Sequence, residues 1–496
     1  VDNMRVAMDA VRDSGRLCEA AICYTGDLTD PACTKYDLNY YVTMARELER
    51  AGAHILGIKD MAGVCKPAAA RMLVKALREE TGLPVHFHTH DTSGIAAASV
   101  LAAVEAGADA VDGAMDAMSG LTSQPNLGAM VEALRAGPRD PGLPRESLRV
   151  ISRYWEVVRQ YYAAFESDIR AGTADVYRHA MPGGQYTNLR EQARALGLEH
   201  HWPEVAEAYA QVNELFGDIV KVTPTSKVVG DMALMMVTSG LTPADVTDPA
   251  KDIAFPESVV SMFRGDLGQP PGGWPKDLQR KILKGQPPLT VRPGEVLPPA
   301  DLDRHRQDAE AKLGRRISDA ELSSHLLYPK VFEDYASHRR DYGNVSVLPT
   351  PVFFYGMEAE QEVAVDIDVG KTLLIRYLAT SGPDSEGRRT VFFELNGQPR
   401  NVKVTDQTLA HQARVHPRAQ EGNPDHVAAP MPGLVVSVHV TPGQRVQKGD
   451  LLASIEAMKM ETAIHAERSG VVKEIVAPVG TQVDVKDLLL VVAEAA

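Results

Sequence analysis

Gly433-Leu-Val-Val-Ser-Val-His-Val-Thr-Pro-Gly443 returns 37 positions later as Gly470-Val-Val-Lys-Glu-Ile-Val-Ala-Pro-Val-Gly480. The register holds onward: Val446 falls on Val483, Asp450-Leu451-Leu452 on Asp487-Leu488-Leu489, and Ile455 on Val492. Each copy alternates apolar and polar residues between glycine-containing turns, the pattern of short half-buried strands. Two such copies close a small barrel-like sandwich about an approximate twofold. Lys459 falls between the copies, where a hairpin must connect them. A lysine at an exposed hairpin tip is open to a modifying enzyme and free to swing.

Upstream of this domain (426–496), residues 411–425 carry hardly a large apolar side chain and read as a linker. Residues 341–410 read as a compact β-rich domain. Its strand-like runs include Val352-Phe-Phe-Tyr355, Val363-Ala-Val-Asp-Ile367, Thr372 to Tyr377 and Val391 to Leu395, with hairpin turns at Ser381-Gly382 and Asn396-Gly397. In residues 1–146, helical patterns at Leu38 to Ala51, Lys66 to Thr81 and Ile95 to Ala106 alternate with buried-strand runs. Those runs end near Tyr24, Lys59, His88 and Gly113, predicting four βα units and a parallel sheet. Residues 147–340 read as a helical extension.

A chain of 496 residues is too long for one core and predicts three or four domains. No apolar run approaches the length of a membrane span. A net charge of −14 argues against nucleic acid as a partner. The four cysteines, Cys18, Cys23, Cys33 and Cys65, form no C-x-x-C pair and read as reduced thiols of a cytoplasmic compartment.

Three constellations carry chemistry. His88-Thr89-His90-Asp91 closes a strand, and imidazoles at i and i+2 share a face, close enough to hold one ion. Polar packing at a strand end is the plainer reading of such a pair. His86 is in phase but deeper, and reads as a satisfied core histidine. Lys59, in Ile58-Lys-Asp-Met-Ala-Gly63, closes the preceding strand. Its ammonium has no lone pair for a metal, so it stands back as a donor or is converted to a carbamate. In Val222-Thr-Pro-Thr-Ser-Lys227, three hydroxyls and an ammonium crowd together, with Thr225 or Ser226 a candidate helix cap. Pro182-Gly-Gly-Gln-Tyr186 is a second polar, glycine-rich loop.

The run Ala457-Met-Lys-Met460 resembles the signature of biotinyl domains; the fold alone leaves a lipoyl carrier open. Taken in order with Gly265-Asp-Leu-Gly-Gln-Pro270 and Phe353-Phe-Tyr-Gly356, these motifs resemble the carboxyltransferase and biotin-carrier end of the pyruvate carboxylase family. The resemblance implies a metal-containing TIM-type barrel, a small tetramerisation and allosteric domain responding to acetyl-CoA, and biotin carried on Lys459. It implies that carbamylated Lys59, His88 and His90 hold Zn²⁺ or Mn²⁺. Thr223 would relay a proton between the pyruvate methyl group and biotin, and Gln185, Ser226 and Lys227 would line the biotin pocket, the product being oxaloacetate. Biotin protein ligase would attach the biotin, and the assembly would be a homotetramer.

The resemblance leaves two parts unaccounted for. One is the biotin carboxylase domain, which uses ATP, bicarbonate and Mg²⁺. The other is the half of the eight-unit barrel that carries an aspartate ligand and the groups gripping pyruvate. Both are expected upstream of Val1. The nearest rivals are the α subunit of oxaloacetate decarboxylase and the related transcarboxylase subunit, with a non-catalytic carrier fragment as a third. Intact-mass analysis of a Lys459→Ala variant should show no covalent biotin; biotin found elsewhere would overturn the assignment.

Overall fold

The structure, a computed structural model, describes residues 1–384, 387–406, 417–420, 423–457 and 460–493. It resolves into two units, Val1–Val296 with Pro424–Ala496, and Leu297–Asn423.

The first unit opens with α1 (Asp2–Asp13). Four strands follow, β1 (Glu19–Cys23), β2 (Ile55–Asp60), β3 (Val85–Thr89) and β4 (Ala110–Val111), separated by α2 (Leu38–Arg50), α3 (Pro67–Glu80) and α4 (Ala96–Glu105). All neighbours pair in parallel and in chain order. The helices start where local chemistry dictates. The Asp37 side chain accepts from the Tyr40 amide at 2.8 Å to cap α2, and Pro67, with its preset φ, opens α3.

The strands alternate. Ala20, Ile22, Leu56, Ile58, Val85 and Phe87 are buried in one core with Leu48 of α2, Leu73, Val74 and Leu77 of α3, and Val100 of α4. Each large side chain so buried contributes about 1.5–3 kcal/mol. The intervening residues Glu19, Lys59, His86 and His88 stand on the opposite face. The sequence suggests strands apolar along their whole length; the structure corrects this, since only every second residue is given to the helices.

After α5 (Leu127–Leu134) and α6 (Arg145–Tyr161), the helical extension builds a core of its own. It uses α7 (Gly183–Ala195), α8 (Trp202–Leu215), α9 (Thr225–Ser239), α10 (Glu257–Arg264) and α11 (Lys276–Leu283). Leu189, Tyr209, Val212, Phe216, Met232, Phe263 and Trp274 meet there. Neither Thr225 nor Ser226 caps α9. Pro224 occupies the cap position, and the Thr225 hydroxyl turns back onto the Val220 and Val222 carbonyls, both at 2.7 Å.

The C-terminal part forms two four-stranded antiparallel sheets. Their pairing shows how the repeat works. Gly433 pairs with Val483, and the equivalent residue of the second copy, Gly470, pairs with Val446, so each copy lends a short strand to the other. A Cβ on Gly433 would lie 2.5 Å from Ile455 Cγ2, and one on Gly470 would lie 2.8 Å from the matching Val492 Cγ1. Strands Leu451–Ala457 and Met460–His465 pair with Ala457 opposite Met460.

In the second unit, helices Leu302–Leu313, Asp319–Leu327 and Pro329–Tyr342 precede a four-stranded antiparallel sheet of consecutive strands. These helices fall on the sheet's side of the division, whereas the sequence expectation runs the helical extension to residue 340. Val352–Tyr355, expected as strand, is helical (Thr350–Tyr355), because Pro351 in its first turn suits a helix start and cannot donate to a sheet ladder. Asn396-Gly397 is a two-residue hairpin turn with both φ positive, +46° and +78°. Ser381-Gly382 is no such turn: the flanking strands end at Thr380 and resume at Arg388. The linker expected at 411–425 lies largely outside the described residues.

Gly470→Val should lower the unfolding free energy of the C-terminal domain by about 2–3 kcal/mol, since the new side chain meets the Ala493 carbonyl as well as Val492. Urea unfolding followed by amide exchange of strand Gly433–Val438 would measure it.

Candidate active site

Lys59 stands beside His88 in the β2–β3 register, near the C-terminal ends of the parallel strands, where folds of this class place their sites. The His88 and His90 rings approach edge-on, and their Nε2 atoms are 3.3 Å apart. The opposite nitrogens are committed. His88 Nδ1–H donates to Asp112 Oδ2 and His90 Nδ1–H to the Thr122 carbonyl, both at 2.6 Å. These partners hold both rings with Nε2 turned towards the other ring. Burial, with the nearby charges of His88 and Lys59, holds the His90 pKa below its usual value, the Thr122 carbonyl opposing. His90 is therefore neutral at pH 7, as a metal ligand must be.

Two donors on one tetrahedral ion with bonds of about 2.0–2.1 Å stand about 3.3–3.4 Å apart. The histidine pair fits that geometry. Among the described residues no three His, Cys, Asp or Glu side chains are arranged to hold an ion. The Lys59 side chain borders the pair. Lys59 Nζ lies 4.0 Å from Glu19 Oε1.

Asp60, fully buried, sets the spacing. Its carboxylate accepts from the Val64 and Cys65 amides and from the Thr89 hydroxyl, between 2.7 and 3.0 Å. This ties the turn after β2 to the residue between the two histidines. Gly63 crosses so close to the His90 carbonyl, at φ +72°, that no side chain fits.

Helix α7 begins against the pair. The Gly183 amide donates to the Met61 carbonyl at 2.8 Å, and a Cβ on Gly183 would lie 2.7 Å from His90 Nδ1. Two residues on, Gln185 Nε2 lies over Gly230 of α9, 2.5 Å from where a Cβ would be. Thr223 is exposed on the loop leading into α9, Ser226 is 1% exposed, and Lys227 donates to Asp231 at 2.9 Å. Thus the histidine pair and Gln185 are joined through the first turn of α7, while Thr223, Ser226 and Lys227 cluster at the start of α9. Lys459 lies outside the described residues.

Comparison with known proteins agrees with this architecture. The HMGL-like family matches residues 5–154, the conserved carboxylase domain 176–376, and the biotin-requiring enzyme family 425–492. The carboxyl transferase domain of Rhizobium etli pyruvate carboxylase, solved with pyruvate and biocytin, is 64% identical with a TM-score of 0.80. That match covers 82% of this chain and 68% of the other. The chain belongs to the pyruvate carboxylase family. It matches the complete Rhizobium etli pyruvate carboxylase at 61% identity and a TM-score of 0.79, over 99% of its own length and 45% of that chain. The pyruvate carboxylase of Bacillus subtilis is 49% identical over 100% of this chain and 43% of its own length. The chain thus spans less than half of these full-length relatives, and it holds the carboxyltransferase and biotin-carrier regions of the family.

Within that frame, sequence reasoning missed Asp112 and Glu19 and misplaced His86. His86 is no core histidine: it faces the site, with Glu19 at 3.1 Å on Nδ1 and Asp112 at 2.9 Å on Nε2. Asp112 follows β4 directly, and its position at the end of the strand next to the one that carries His88 was the available signal. Burial pulls the His86 pKa down, but the two carboxylates outweigh it and raise it above 6.5. The His88 hydrogen bond, opposed by burial and aided by His86, holds Asp112 at about 2. The His86 contribution to stability is therefore complete below pH 6.5 and fades as pH rises past its raised midpoint. The Asp112 contribution is complete above 3.8 and fades as pH falls towards 2. In an NMR titration the His86 ring should show a midpoint above 6.5, and Glu19→Gln should lower it; an unmoved midpoint would contradict the pairing.

Proposed function

We propose that the chain transfers a biotin-borne carboxyl group to pyruvate, giving oxaloacetate, as part of a longer pyruvate carboxylase. The observation that carries this reading is the 3.3 Å convergence of two histidine Nε2 atoms beside Lys59, in a chain of this family. His88, His90 and a Lys59 carbamate would hold Zn²⁺ or Mn²⁺. When bound, the metal supplies a Lewis acid for the keto oxygen of pyruvate, and biotin on Lys459 supplies the carboxyl group.

The protein's own groups do the rest. Asp112 and the Thr122 carbonyl hold the two imidazoles in the tautomer that presents Nε2. Thr223 Oγ1, exposed on its loop, moves a proton from the pyruvate methyl group towards the biotin nitrogen. Gln185, Ser226 and Lys227 bind and orient the biotin ring; Ser226, almost fully buried here, does so from beneath the surface of α9. Charging of biotin with ATP, bicarbonate and Mg²⁺ falls to an upstream biotin carboxylase domain, and attachment to biotin protein ligase. We assign the sheet of residues 362–405 to assembly of a homotetramer activated by acetyl-CoA. Among the described residues no helix is long and apolar enough to cross a membrane. The four cysteines are free thiols, which supports a cytoplasmic site.

In the complete enzyme, Thr223→Ala should reduce carboxyl transfer by about 10²-fold or more while biotin charging and metal content stay at wild-type levels. His88→Ala should lose metal and transfer together. Transfer at wild-type rate in Thr223→Ala would assign the proton to another group.

A further inference from the structure

We infer that Asp231 is a positioning residue for Lys227, fixing where the ammonium stands in the biotin pocket; this rests on the role proposed for Lys227 above. The two residues are four apart on α9, so their side chains share a face of the helix. Lys227 Nζ donates to Asp231 Oδ2 at 2.9 Å, and Ser258 Oγ of α10 donates to the same oxygen at 2.8 Å. Asp231 is 8% exposed, whereas Lys227 keeps 39% of its side chain exposed.

That asymmetry decides which partner sets the position. A carboxylate packed between two helices and held from the second one is stationary. A lysine stem has four rotatable carbons and takes the place its acceptor dictates. Asp231 Oδ1 is buried and meets no donor among the described residues, so there the carboxylate is compensated through Oδ2. Moving the ammonium away would leave a buried carboxylate with the Ser258 hydroxyl alone, which is costly. The neighbouring Gly230 leaves room for the Gln185 carboxamide. Two consecutive residues of α9 therefore place two of the polar side chains assigned to biotin.

The test uses the complete parent enzyme carrying Lys459→Ala, with free biotin as carboxyl acceptor and oxaloacetate as donor. In that direction a C–C bond of oxaloacetate breaks, an N–C bond to biotin forms, and the proton of that biotin nitrogen passes to the methyl group of pyruvate. Pyruvate release is followed against biotin concentration. Asp231→Asn should raise KM for biotin about tenfold with kcat within about twofold, the loss of a charge-assisted hydrogen bond. Ser258→Ala should shift KM the same way by about threefold. In a Lys227→Met background, Asp231→Asn should change KM no further, because the ammonium it positions is gone. An unchanged KM in Asp231→Asn, or a full extra shift in the Lys227→Met background, would overturn the inference. If thermal melting shows that Asp231→Asn does not fold, Ser258→Ala decides: an unchanged KM overturns, a raised one supports. Should the enzyme without the Asp231 or Ser258 change release no pyruvate in response to biotin, the functional reading itself fails, a result separate from any KM.

Discussion

Successive residues of a β-strand point to opposite sides, and the rest of the first unit follows from that constraint. Because Leu56, Ile58, Val85 and Phe87 must reach the helices, Lys59, His86 and His88 must face away from them. The apolar half of each strand thus fixes the height and direction of the polar half. A register slip by one residue would exchange the two sets, placing imidazoles in the core and leucines at the site, so hydrophobic burial guards the chemistry. Asp60 secures the arrangement at the strand end, where burial alone gives least control. The desolvated carboxylate raises its own pKa, against the hydrogen bonds it accepts. It remains in place because those donors come from the turn after β2 and from β3 at once.

The site proposed above draws on two cores, each organised on its own. The parallel sheet presents the histidines; the helical extension presents Gln185, Thr223, Ser226 and Lys227. They meet where α7 begins, through a glycine with room for nothing larger. Close approach at Gly183 lets a helix that packs with Leu189 and Tyr186 in one core touch a ring supported by the other. Relative placement is therefore set by backbone contact, which is stiffer than contact through long side chains.

What could be read from sequence was local in character. The four βα units were legible because helix and strand periods alternate within some thirty residues, and the bounds of α2, α3 and α4 lie within a residue of expectation. The C-terminal repeat was legible because it compares the chain with itself. The Glu19–His86 and His88–Asp112 pairs were hidden, since they join different strands and depend on register. The role of Asp231 was hidden for the same reason: its second donor, Ser258, lies on another helix. Val352–Tyr355 misled because aromatic and branched residues favour strands, while flanking prolines, which favour a helix start, prevailed.

The exchange of short strands within the C-terminal domain carries a consequence for how that domain holds together. Arg445–Val446 belongs by sequence to the first copy and by hydrogen bonding to the second; Gln482–Val483 does the reverse. Neither copy possesses a complete sheet, so the two are interlocked like clasped hands. A peptide bond severed in the loop around Glu467 to Ser469 would leave two fragments, each holding a strand that the other lacks. The severed domain would remain associated, and the pieces, made separately, would complement one another into the same paired sheets.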